Sequence, residues 1–170
     1  MIKKIYIAVF ILIIAVIVFY WLRPHSKFLL TLLPPSNLYR TVARQPITLK
    51  EENTSQHLSL THKYSGTYLV GAYIQKPPPF GSSIESNASL SFSVKNNERL
   101  LLKKKFTNWT SRFGGPEKKQ SGVILGYYKV PDDIPVGVAT QATFSVDTPD
   151  CSFEKKYGKL ELFIRRKSDQ

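Results

Sequence analysis

One cysteine in 170 residues, Cys151, leaves no partner for an intramolecular disulfide and no thiolate set for a zinc or iron–sulfur centre. Acidic residues are scarce: 12 Asp and Glu stand against 24 Lys and Arg, for a formal net charge of +12. Catalytic signatures are missing as well. No G-x-S-x-G elbow is present, and Cys151 sits in the turn Thr148-Pro149-Asp150-Cys151-Ser152 with no histidine near it in sequence. That setting reads as a small buried residue in preference to a free thiol. The three histidines are His25, His57 and His62. His57 and His62 fall on opposite faces of a straight strand and cannot share a metal there, so both read as surface or hairpin-stabilising residues. Asp132 and Asp133, between Pro131 and Pro135, suit a turn better than a catalytic carboxylate pair. A phosphate cradle needs a glycine-rich loop feeding a helix, and no such helix follows. We therefore expect no enzyme: no catalytic residue, no cofactor and no metal. The basic charge comes without a helix-turn-helix, zinc-finger or RNP-type aromatic signature, so no nucleic-acid partner is expected.

The length allows one domain of ordinary size, and 42% hydrophobic residues are enough to fold it. The most distinctive segment is at the start. A tail of residues 1–4 carries Lys3 and Lys4, and residues 5–22 then run from Ile5 to Leu22 without a charge, Gly, Pro, Ser or Asn. As a helix this run would be about 27 Å long, close to the roughly 30 Å of a hydrocarbon core. Tyr6 at one end and Tyr20 and Trp21 at the other would sit at the headgroup boundary. A cleaved signal peptide would end in small residues, whereas this run leaves through Phe19-Tyr20-Trp21-Leu22-Arg23-Pro24. The expectation is a transmembrane signal anchor at 5–22, held at its ends by Ile5, Tyr6, Tyr20, Trp21 and Leu22. It would make the lipid bilayer a partner, with a single pass through the inner membrane and the C-terminal domain in the periplasm. A juxtamembrane neck, 23–46, would follow, interrupted at Pro34-Pro35. Its apolar piece Phe28–Leu33 suits either the membrane interface or the domain surface.

From residue 47 onward the period is two, which means strands. Leu90, Phe92 and Val94 alternate with serines; Ala142, Phe144 and Val146 alternate with polar residues; Leu160, Leu162 and Ile164 share a face in the last strand. Tyr68, Val70, Ala72 and Ile74 do the same in a strand whose other face, Leu69, Gly71 and Tyr73, is also apolar, as in a central strand. About eight short strands separated by Pro, Gly and Asn turns predict an all-β fold: a two-sheet antiparallel sandwich of immunoglobulin-like or jelly-roll kind over 47–170.

Two loops have the composition of binding loops. Lys76–Ser83 contains three prolines followed by Phe80, a stiff mount for an aromatic anchor. Phe106–Gly115 holds Trp109, Arg112 and Phe113 between strands, although Trp109 and Phe113 folded back over the core would look the same in sequence. Basic runs, foremost Lys103-Lys104-Lys105, suit either an anionic partner or a solvated face. Phe80, Trp109, Arg112, Phe113, Lys103, Lys104 and Lys105 are the candidate interface residues.

The anchor and the stretch Gly126-Tyr127-Tyr128-Lys129-Val130-Pro131-Asp132-Asp133-Ile134-Pro135-Val136-Gly137, followed by an alternating strand, resemble the small membrane-anchored or periplasmic β-sandwich proteins of Gram-negative bacteria grouped as domains of unknown function. The resemblance implies a sandwich fold and brings no catalytic residues. The function expected is that of a membrane-tethered, exported binding module that engages another protein, an immunity-type protein being one concrete form. The alternatives are an accessory subunit of an envelope membrane complex and a domain that binds or processes cell-wall glycan or peptide.

Overall fold

The computed structural model describes residues 2–76, 78, 84–107, 109, 111–114, 121–130, 134 and 136–167, with the side chains of 2–5, 8, 27 and 111–114 left aside. Helix α1 (Ile2–Leu22) is followed by a turn and the short helix α2 (Lys27–Leu32), whose cap Ser26 accepts from the Leu29 N–H. The described side chains of α1 begin at Tyr6 and omit Ala8, and nearly all are exposed. Among the described residues no helix is long and apolar enough to cross a membrane.

Nine strands follow among the described residues: β1 (Thr41–Ile47), β2 (Ser55–Thr61), β3 (Thr67–Ile74), β4 (Ser89–Asn96), β5 (Arg99–Phe106), β6 (Ser111–Gly114), β7 (Ser121–Lys129), β8 (Ala139–Thr148) and β9 (Leu160–Arg166). One sheet has the order β1-β9-β3-β7-β6 and the other β2-β8-β4-β5, with every pair antiparallel. Pairing β1 with β9, β2 with β8, β3 with β7 and β4 with β5 wraps one long antiparallel ribbon around itself. This order is the jelly-roll form of a sandwich, which is one of the two forms the alternation allows. Their inner faces build one core that includes Tyr68, Val70, Phe92, Phe144, Leu162 and Ile164.

The roll begins before the expected boundary. β1 starts at Thr41, within the segment read as neck, and runs through Pro46. Pro46 is tolerated because β1 is an edge strand. The two open seams between the sheets are bridged by side chains. Gln45 Nε2 donates to Gln56 Oε1 (3.1 Å) at the β1/β2 side, and Lys104 Nζ donates to the Tyr127 carbonyl (2.6 Å) at the other. Lys104 stands opposite Phe92, on the core side of edge strand β5, so this lysine belongs to the seam.

Sequence periodicity left out strand β6, which lies in a segment read as a loop, and one helix. Helix α3 (Cys151–Tyr157) occupies the β8–β9 connection and buries Phe153 and Tyr157. It also corrects the reading of Cys151, which is exposed, its Sγ 3.4 Å from the Lys50 carbonyl. First in its helix, Cys151 lies on the side away from Phe153. His62 is corrected in the other direction. It is fully buried, with Nε2 2.9 Å from Tyr128 Oη and its ring edge-on to Tyr68. His57 is exposed beside Thr143.

At Gly71 in β3, an added Cβ would lie 2.5 Å from the Phe163 ring and 2.9 Å from the Val123 carbonyl. A ring can move, but a backbone carbonyl in the sheet cannot move cheaply. Gly71→Ala is expected to destabilise the roll by about 2 kcal/mol. Denaturant unfolding of the full chain checks this, and an unchanged midpoint would contradict it.

Candidate functional site

The two outer faces of the roll differ in chemistry. On the four-stranded sheet, outward positions are Ser55, His57, Ser59, Ser91, Ser93, Thr143, Ser145 and Asp147, together with Lys103 and Lys105. Their hydroxyls bond to one another and to Asp147, as in Ser91 Oγ to Asp147 Oδ2 at 2.7 Å. Lys105 lies 3.4 Å from Asp147 with more than half of its side chain exposed, a contact that contributes little. This is an ordinary solvated sheet face.

The five-stranded sheet carries an aromatic and cationic outer face instead. Register places Arg44 of β1 opposite Phe163 of β9, Phe163 opposite Gly71 of β3, and Leu69 between Arg165 and Tyr127. Phe163 stacks on Tyr73 with ring centres 4.4 Å apart, and Leu69 and Ile124 complete a second apolar cluster separate from the main core. Cations lie over this floor: Arg44 is 5.1 Å from the Tyr73 ring centre, Arg165 is 5.6 Å from Phe163, and Lys167 is 5.0 Å from Tyr127. Each such contact with an aromatic face is worth about 0.5–1 kcal/mol where water still reaches it. The neighbouring acid, Glu161, meets Arg44 at 3.9 Å in an exposed pair that contributes little, and one carboxylate beside Arg44, Arg165 and Lys167 leaves the face net positive.

Tyr39, entering from the neck, divides the surface above this floor. Two open depressions of about 470 and 380 Å³ flank it; Tyr39 and Arg165 line both. Arg40, Arg44 and Tyr73 line the larger and Tyr127, Arg166 and Lys167 the smaller. Arg166 is held from behind, buried, with its Nε donating to the Ser65 carbonyl at 3.1 Å. The arrangement offers guanidinium and ammonium donors on a rigid aromatic base, which suits the binding of carboxylates or phosphates through paired hydrogen bonds and charge. Among the described residues, no three His, Cys, Asp or Glu side chains come together to hold a metal.

The residues chosen from sequence are distributed differently. Trp109 is corrected outright: it is fully buried in the main core, edge-on to Phe153 at 5.7 Å, and is no interface anchor. The open end of a two-sheet core needs a large apolar lid, and an indole beside α3 supplies it. Phe80 lies outside the described residues. Arg112 and Phe113 lie in β6, opposite Val123 and Gly122, and only their backbone is described. Sequence reading missed Tyr39, Arg44, Tyr127 and Phe163 as a group, because they come from four separate segments that only strand register brings together. The available signal was the alternation of Phe163 with Arg165.

No protein-family model matches the chain, and no curated protein matches it. Among solved structures, a protein from Sulfurospirillum deleyianum is similar, with a TM-score of 0.53 at 5% identity over 75% of this chain and 98% of that one. At that identity the likeness concerns the β-sandwich fold alone.

Proposed function

We propose that this chain is a membrane-tethered, exported binding module whose aromatic–cationic sheet face engages an acidic segment of another protein. The observation that carries the proposal is the contrast between the two outer faces. One is hydroxyl-lined as solvent requires, and the other places Arg44, Arg165 and Lys167 over Tyr73, Phe163 and Tyr127. Aromatic and arginine side chains are the residues enriched where binding energy concentrates. Helix α1 is the tether in this reading. Its charge-free run Ile5–Leu22 would extend about 27 Å, close to the roughly 30 Å of a hydrocarbon core. Tethering confines the module near the bilayer and raises its effective concentration for partners at the same surface. The reading includes no enzymatic step, and it places the roll in the periplasm.

In-cell photo-crosslinking tests the face directly. A photoreactive residue at Tyr127 is expected to give a discrete adduct that disappears on adding Arg44→Glu, while one at Ser93, on the hydroxyl face, gives none. Adducts of equal yield from both faces, or none from Tyr127, would sink the proposal.

A further inference from the structure

The exposed large apolar side chains described outside α1 are Phe28, Leu32, Leu33 and Tyr39 of the neck and Leu100, Tyr127 and Val138 of the roll. They are scattered in sequence but share one end of the molecule. Leu100 pairs with Lys95, Lys95 with Gln141, and Gln141 with Ser59 near the end of β2. Val138 adjoins Gly137, whose N–H donates to the His62 carbonyl in the β2–β3 turn. Tyr127 pairs with Leu69 just beyond that same turn. The turn is fastened to the end of α1: Ser65 N–H donates to the Pro24 carbonyl at 3.1 Å, and Ser65 Oγ donates to the His25 carbonyl at 3.2 Å. The opposite end, with α3, exposes no large apolar side chain among the described residues.

Net charge is polarised the same way, because the α3 end sets its exposed lysines (Lys50, Lys76, Lys155, Lys156, Lys159) among Glu51, Glu52, Glu85, Asp150 and Glu154. Arg40, Lys63, Lys95, Lys129 and Lys167 are exposed at the helix-exit end. Of the acids described, Glu98 alone is beside them; Asp132 and Asp133 fall outside the described residues. The neck is braced rather than loose. Leu30 of α2 is buried and Arg23 Nη2 donates to the Leu33 carbonyl, while Phe28 and Leu32 of the same helix are 72% and 62% exposed.

We infer that this end of the roll rests on the surface of an anionic bilayer. Phe28, Leu32, Leu100 and Val138 enter the interface, and Arg40, Lys63 and Lys129 lie on lipid headgroups. The inference rests on the reading of α1 as an anchor, because the anchor brings this end to the membrane. Apolar side chains alternating with cations are what an interfacial contact requires, and each basic residue near an anionic leaflet favours the docked state about fivefold. Docking holds the five-stranded sheet in one attitude above the membrane, with its aromatic–cationic face toward neighbours at the same surface.

The test uses the full chain reconstituted in vesicles of phosphatidylcholine and phosphatidylglycerol that carry a lipid-attached quencher. Native Cys151, exposed at the far end, takes a fluorescent dye in one sample, and Val138→Cys in a Cys151→Ser background takes it in the other. Dye at 138 is expected to be quenched severalfold more than dye at 151. The combined variant Arg40→Gln, Lys63→Gln, Lys129→Gln, all at exposed positions, is expected to weaken docking about a hundredfold and remove the difference. Equal quenching at the two positions, or a difference that survives the triple variant, overturns the inference. An alkaline carbonate wash of the same vesicles separates the two claims. Release of the chain overturns the anchor and the docking together, and retention with equal quenching overturns the docking alone.

Discussion

Asp150→Ala is expected to remove about 4 kcal/mol from the stability of the roll. The carboxylate accepts four hydrogen bonds: Oδ1 from the Phe153 N–H (2.9 Å) and Ser152 Oγ (2.6 Å), and Oδ2 from Ser86 Oγ (3.0 Å) and the Asn87 N–H (3.0 Å). Two of these fasten the start of β4 to the start of α3, so one side chain ties together connections distant in sequence. Hydrogen bonds to a charged acceptor contribute about 1.5–3 kcal/mol each when buried. The total falls below their sum because water replaces Asp150 at the more exposed donors. For a roll of this size the melting temperature should drop by about 10 °C. Near-UV circular dichroism of the full chain measures it, and a drop of about 2 °C or less would show that the network is not essential. Asp150→Asn, which keeps an acceptor for the Phe153 N–H, should lose about half as much. Burial pushes the Asp150 carboxyl up, but the hydrogen bonds from Ser152, Phe153, Asn87 and Ser86 outweigh it and hold it below its ordinary value. Its contribution is therefore complete above pH 3.8 and disappears as pH falls through the lower folded value.

A second loss is expected at milder acidity. Burial lowers the His62 pKa from 6.5 to about 4. Below pH 6.5 the unfolded chain takes up a proton that the folded roll refuses until about pH 4. Stability is thus full above 6.5 and declines across that window, by about 3 kcal/mol in total. Other buried groups in the cluster do not interfere. Burial raises Tyr68 to about 12 and Tyr128 well above its ordinary value, so both stay neutral throughout. Glu154 is pushed up by burial but held lower overall by Thr48, Leu49 and Lys50, and it acts only at the acid edge of the window. His62→Gln keeps an amide near Tyr128 Oη and removes the titration. Urea unfolding from pH 7 to pH 4.5 should show a steep decline in the natural chain and a shallow one in the variant. Parallel declines would assign the effect elsewhere.

The strands that sequence marked best were those with one or two unambiguous apolar faces. β3, apolar on both faces, carries the pattern of a central strand, which matches its place third of five. β1 was obscured by Pro46, which argues against a strand except at an edge, and edge position is decided only by topology. α3 was hidden because Phe153 and Tyr157 are too few to separate a helical period from an alternating one over seven residues. Trp109 sits in a loop with no periodicity at all, where composition suits surface and core alike, and packing took it inside. The cationic face was legible only in part. The Arg165-Arg166-Lys167 run was visible, but Arg165 faces outward over Phe163 while Arg166 turns into the protein.

The nested pairing of β1 with β9 has a consequence for how the chain matures. Ile47 waits for Leu160, and Thr41 for Arg165, so the first strand to emerge from synthesis finds its partner only when the last one is available. Loops of that length close slowly, and folds dominated by such distant pairings form late and cooperatively. In the exported reading proposed above, the chain therefore travels without a folded roll to obstruct it, and completes the roll only after its final strand has passed.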